Sequence, residues 1–163
     1  MKKHLMMVIS LLVFQAACAQ SELRDIEDDQ PRTLKTQKNQ ITVVNLWATW
    51  CAPCREEMPE LSAFAQAQKK AGGTPPVTVI GIAFDRSDNI KKFLHTTPVT
   101  YPIWRYDGAD SAAFMGTLDN QAAALPYTVV DAPACGFRQP FYGKITRAQL
   151  TRAVAAARQA CGR

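Results

Sequence analysis

The stretch Ile41-Thr42-Val43-Val44-Asn45-Leu46-Trp47-Ala48-Thr49-Trp50-Cys51-Ala52-Pro53-Cys54 decides the fold. Ile41 to Ala48 is a near-continuous apolar run of strand length, the pattern of a strand covered on both faces. Behind it, Cys54, Met58, Leu61 and Ala65 recur at helical spacing until Gly72-Gly73 ends the pattern. A strand feeding a helix that opens on Cys-x-x-Cys puts both sulfurs on one turn, close enough to form and break an internal disulfide. The N–H groups at the helix start favour a thiolate at Cys51. Pro53 stands in the first turn, where its missing N–H costs nothing. Pro59, inside the helical pattern, is expected to kink it.

Outward from this stretch, Val77 to Phe84 is a second apolar run, completing a right-handed strand-helix-strand crossover. Asn89 to His95 reads as a short helix, and Val99 to Trp104 as a third strand that Pro102 confines to a sheet edge. A short helix follows around Ala112 to Gly116. Leu125-Pro126 then opens a hairpin of strands Tyr127 to Asp131 and Phe137 to Tyr142. The closing helix, Thr146 to about Ala160, gathers Leu150, Ala153, Val154 and Ala157 on one face. Residues 20–39, polar and holding Pro31, read as a tether or a short edge hairpin, and 40–163 as one domain.

Residues 1–19 read as a secretory signal peptide: Lys2, Lys3 and His4 precede an apolar segment, Leu5 to Phe14, which is too short to span a bilayer. Ala17-Cys18-Ala19 fits the small-x-small cleavage rule, while Ala16-Ala17-Cys18 also resembles a lipobox, which makes Cys18 a candidate lipidation site. Either route puts the domain in the periplasm or another extracytoplasmic space, soluble or lipid-anchored. Loss of Lys2 and Lys3 would take the net charge from +5 to +3. The remaining basic residues are scattered, so nothing marks a nucleic-acid surface. Cys51, Cys54, Cys135 and Cys161 would remain, an even set in a compartment where disulfides last.

Continued through Arg55-Glu56-Glu57-Met58-Pro59, the active-site stretch resembles that of TlpA-like (ResA/TlpA/DsbE-type) thiol:disulfide oxidoreductases. Tyr101-Pro102-Ile103, Asp107-Gly108, Leu125-Pro126 and Gly143 carry the likeness over about residues 40 to 160. The resemblance implies an α/β, thioredoxin-like fold, with a mixed central sheet flanked by helices. It also implies a strand-helix insertion among the 41 residues between Phe84 and Pro126. Pro126 is then a cis-proline facing the active-site disulfide, and Glu57 handles protons. Asn45 stands on the strand where thioredoxin itself carries a buried acid. The implied partners are protein substrates with disulfides or cysteine pairs, and a membrane electron donor of the DsbD/CcdA type. No cofactor beyond the cysteines is called for.

In this reading Cys51 attacks a substrate disulfide, Cys54 resolves the mixed disulfide, and Glu57 takes the proton from Cys54. The backbone of Leu125 can pair with an extended substrate strand. Trp50 is placed over the active site and Trp47 in the sheet core, with Glu56 on the surface. The hairpin leaving Pro126 turns near Cys135 at the far end of the sheet, where the last helix also ends. A Cys135–Cys161 bridge closing about 27 residues would therefore stabilise the fold by roughly 3 kcal/mol. Rival readings are a disulfide oxidant, a copper or cytochrome-maturation module binding metal through the cysteine pair, a thiol peroxidase, and a non-enzymatic module. Zinc is disfavoured because His95 is the one histidine left after processing. A peroxidase needs a lone reactive cysteine, where this chain has a vicinal pair.

Overall fold

The computed structural model describes residues 21–34 and 40–162. The segment read as a signal peptide, with Cys18, lies outside the described residues. Among the described residues seven strands form one mixed sheet: β1 (Leu23–Asp25), β2 (Pro31–Arg32), β3 (Ile41–Trp47), β4 (Val77–Ala83), β5 (Ile103–Tyr106), β6 (Tyr127–Ala132) and β7 (Phe137–Tyr142). Among the described residues four α-helices accompany them: α1 (Ala52–Ala71), α2 (Ser87–Thr96), α3 (Ser111–Gly116) and α4 (Arg147–Cys161). The sheet order is β2-β1-β5-β4-β3-β6-β7. Strands β3, β4 and β5 run parallel, while β6 pairs antiparallel with β3, β7 with β6, and β1 with β5. This is the thioredoxin-like fold, with α2, β5 and α3 filling the interval before Pro126.

Every residue of β3 is buried, as a strand covered on both faces must be. Ile41, Val43 and Trp47 face α1, α2 and α4, meeting Met58, Leu61 and Phe64 of α1, Ile90 of α2 and Leu150, Val154 and Ala157 of α4. Val44 and Leu46 point to the other face, against Ile80, Ile82, Met115, Tyr127 and Val129. The buried stripe of α1 runs through Phe64, with Ala65 at its margin. Helix α1 continues unbroken past Pro59. Helix α4 starts on a capping box: Thr146 Oγ1 accepts from the Gln149 N–H, and Gln149 Oε1 accepts from the Thr146 N–H.

The third strand is not at an edge. β5 lies between β4 and β1, because Leu23, Arg24 and Asp25 pair with Tyr106, Arg105 and Trp104. Pro102 escapes the penalty of an interior proline by standing just before the strand, where its carbonyl accepts from the Gly81 N–H at 3.0 Å. A proline lacks a donor but remains a full acceptor.

Candidate active site

Cys51 caps the N-terminus of α1, with extended backbone (φ −85°, ψ 102°). Its N–H donates to the Ala48 carbonyl and its carbonyl accepts from the Arg55 N–H, each at 3.2 Å, so the bend from β3 into α1 is fixed by the backbone. Cys54 lies one turn in, the two Cα atoms 5.3 Å apart and the sulfurs joined in a disulfide. Cys51 is 6% exposed and Cys54 fully buried, so the outer sulfur is the reachable one. The first turn, Ala52 to Arg55, holds no acid to offset the helix's positive end.

Glu57 follows Cys54 by three residues on α1, on the same side of the helix, and is buried. Its Oε1 accepts from Asn45 Nδ2 at 2.7 Å, and its Oε2 accepts from the Ile145 N–H at 2.8 Å. Asn45 Nδ2 donates as well to Thr128 Oγ1 at 3.0 Å, its register partner on β6. Helix, sheet and the loop after β7 thus converge on one carboxyl group. Burial pushes the Glu57 carboxyl up to about 7, with the Ile145 and Asn45 hydrogen bonds and the Lys144 charge opposing. Neighbouring Glu56 is exposed and pairs with Lys144 at 2.8 Å, which holds its own carboxyl below the usual range.

Leu125–Pro126 is a cis peptide bond. The pairing of Tyr127 with Leu46 sets this turn beside the C-terminal end of β3, where the chain crosses to Cys51. The Pro126 carbonyl accepts from the Gly143 N–H at 2.9 Å, two residues before Ile145 meets Glu57. Trp50, next to Cys51, is 70% exposed, whereas Trp47 is buried and packs on Phe93 with ring centroids 5.6 Å apart. Thr49 donates its hydroxyl to Asp85, tying the active-site turn to the end of β4.

Cys135, in a 3₁₀ turn after β6, and Cys161, the last residue of α4, have Cα atoms 4.8 Å apart and are disulfide-bonded. His95 stands exposed in the last turn of α2. Among the described residues no cluster of three His, Cys, Asp or Glu side chains could hold a metal ion. Within the same residues, no helix is long and apolar enough to cross a membrane.

A Cys-x-x-Cys disulfide at a helix N-terminus, beside a proline turn on a sheet of this order, defines a thioredoxin-like protein with a dithiol–disulfide centre. The chain belongs to the AhpC/TSA family, whose model matches residues 15–134. It is 31% identical over 71 residues to the thiol-disulfide oxidoreductase ResA of Bacillus anthracis, covering 43% of this chain and 39% of that protein. It is 32% identical over 115 residues to the thiol:disulfide interchange protein HelX of Rhodobacter capsulatus, covering 70% of this chain and 58% of HelX. The chain therefore spans less than two thirds of the length of these curated relatives. The crystal structure of a thioredoxin-related protein from Neisseria meningitidis serogroup B is 50% identical, with a TM-score of 0.77, covering 85% of this chain and 99% of that one.

Proposed function

We propose that the protein is an extracytoplasmic thiol:disulfide oxidoreductase that reduces disulfides in protein substrates. One observation carries this reading: the Cys51–Cys54 disulfide opens a helix that carries, three residues beyond the inner cysteine, a buried carboxyl pushed up to about 7. A dithiol donor first reduces Cys51–Cys54, delivering two electrons and two protons. The Cys51 thiolate, favoured at the helix N-terminus, then attacks a substrate sulfur; the substrate S–S bond breaks and one substrate thiolate leaves. Cys54 gives its proton to Glu57 and attacks the Cys51 sulfur. This re-forms Cys51–Cys54 and expels the second substrate thiolate, so the substrate gains both electrons.

Glu57 suits the proton step because a base titrating near the working pH both accepts and returns a proton readily. Asn45 leaves that duty to Glu57, since its neutral amide donates to the carboxylate and cannot take the proton itself. The signal-peptide reading of residues 1–19 supports export, with Cys18 as a lipid anchor where the lipobox is used. An exported reductase needs electrons delivered across the membrane, for which a donor of the DsbD/CcdA type is the proposed partner. Thiol trapping in intact cells tests the direction: Cys51 and Cys54 mostly reduced supports a reductase, and a fully oxidised pair makes the protein an oxidant instead.

A further inference from the structure

The loop between α3 and the Leu125–Pro126 turn is held by a buried amide. Asn120 has no exposed surface. Its Nδ2 donates to the Ala124 carbonyl at 2.9 Å, and its Oδ1 accepts from the Ala124 N–H at 3.1 Å. One side chain thereby satisfies both backbone groups of a single residue, as a neighbouring strand would. The backbone of Asn120 is fixed in turn: its N–H donates to the Met115 carbonyl and its carbonyl accepts from the Ala123 N–H, each at 3.1 Å.

Further anchors hold the rest of the loop. The Tyr127 hydroxyl donates to the Leu118 carbonyl at 2.5 Å, the Tyr142 hydroxyl to the Asp119 carbonyl at 2.8 Å, and Arg138 to the Thr117 carbonyl at 3.2 Å. Asp119 and Ala123 keep φ values of 65° and 48°, a region that Asp enters readily but that Ala adopts only when its surroundings require it. The next residue differs. Neither the N–H nor the carbonyl of Leu125 makes a hydrogen bond among the described residues, and Leu125 is half-buried against the cluster that contains Cys51 and Cys54. Backbone groups in such a place ordinarily find partners.

We propose that Asn120 is a positioning residue for polypeptide substrates. By occupying Ala124 it fixes the chain so that Leu125 presents its N–H and carbonyl, already oriented, to an extended segment carrying the target disulfide. Strand addition at this point favours disulfides held in extended polypeptide over small disulfides, which have no backbone to pair. The inference rests on the oxidoreductase reading above.

Steady-state kinetics on a cysteine-peptide disulfide and on hydroxyethyl disulfide separate the two claims. Asn120→Ala is expected to lower kcat/KM for the peptide about tenfold, through KM, the order of one hydrogen bond. The same variant keeps its rate on hydroxyethyl disulfide within about twofold, because pairing plays no part there. Asn120→Asp, which retains the acceptor for the Ala124 N–H and loses the donor, falls between. Equal loss on both disulfides, or no loss on either, overturns the inference; a wild-type protein inert towards both overturns the oxidoreductase reading instead. Amide exchange needs no Asn120 variant: in a Cys54→Ser protein trapped as a mixed disulfide with the peptide, the Leu125 amide should gain protection while Ala124 stays protected throughout. A Leu125 amide unchanged by the peptide also overturns the inference.

Discussion

The two disulfides are nearly alike in span, with Cα separations of 5.3 and 4.8 Å, yet they sit in opposite settings. Cys51–Cys54 bridges residues three apart at the start of a helix, beside a buried acid. It constrains little of the unfolded chain, and a thiolate there is stabilised. Cys135–Cys161 spans 26 positions and ties a turn at the far end of the sheet to the end of α4. Its value lies in the loop it closes. The surroundings, not the bond, separate a disulfide suited to turnover from one suited to permanence.

Cys51→Ser breaks the comparison most sharply: disulfide reduction should fall to background, whereas the double variant Cys135→Ala/Cys161→Ala should retain it. Activity surviving in Cys51→Ser would remove the proposed chemistry. Glu57→Gln should slow resolution of the mixed disulfide about a hundredfold at neutral pH, the scale of a lost general base. Stopped-flow release of the second substrate thiol measures it. Loss of the far bridge in the double variant should cost roughly 3 kcal/mol in denaturant unfolding, with little change in turnover.

The oxidised wild-type protein should also show Glu57 in its stability. The folded carboxyl titrates near 7, above the usual carboxylate range, so the folded state holds the proton more tightly than the unfolded chain. Glu57's contribution is therefore complete below about pH 4.5 and lost as pH rises through about 7, a decline on the order of 3 kcal/mol. In Glu57→Gln that slope should vanish, whatever the variant's absolute stability; a slope left intact would assign it to another group. Lys144→Ala should act least. It removes a charge that draws the Glu57 carboxyl down, so the midpoint should rise slightly while turnover stays close to wild type.

Strands β3 and β4 and the helix between them were legible because continuous apolar runs and helical periodicity are local signals, whereas the third parallel strand, expected over Val99 to Trp104, runs from Ile103 to Tyr106. Cys51 and Cys54 were legible for the same reason, through their spacing at the junction of strand and helix. The edge placement of β5 was misread because what covers it, Leu23-Arg24-Asp25, belongs to the polar stretch read as a tether or a short edge hairpin, and nothing local says that this hairpin pairs with β5. That pairing is long-range, supported by the Arg24–Asp107 ion pair at 2.9 Å. The partners of Glu57 were not legible as partners. Asn45 was noted only because the resemblance puts a buried acid at that place, and the Ile145 N–H is a backbone donor that no side-chain identity announces. Asn120 was missed likewise, since an amide in a polar loop looks solvated until its loop is seen to fold over it.

Both outer strands of the sheet carry a proline: Pro31 in β2 and Pro140 in β7, opposite Val129. A proline interrupts the row of N–H donors that an edge would otherwise offer to another sheet. Among the described residues the sheet is thus guarded at both rims against stacking edge to edge with its own copies. Crowded solutions should leave it monodisperse.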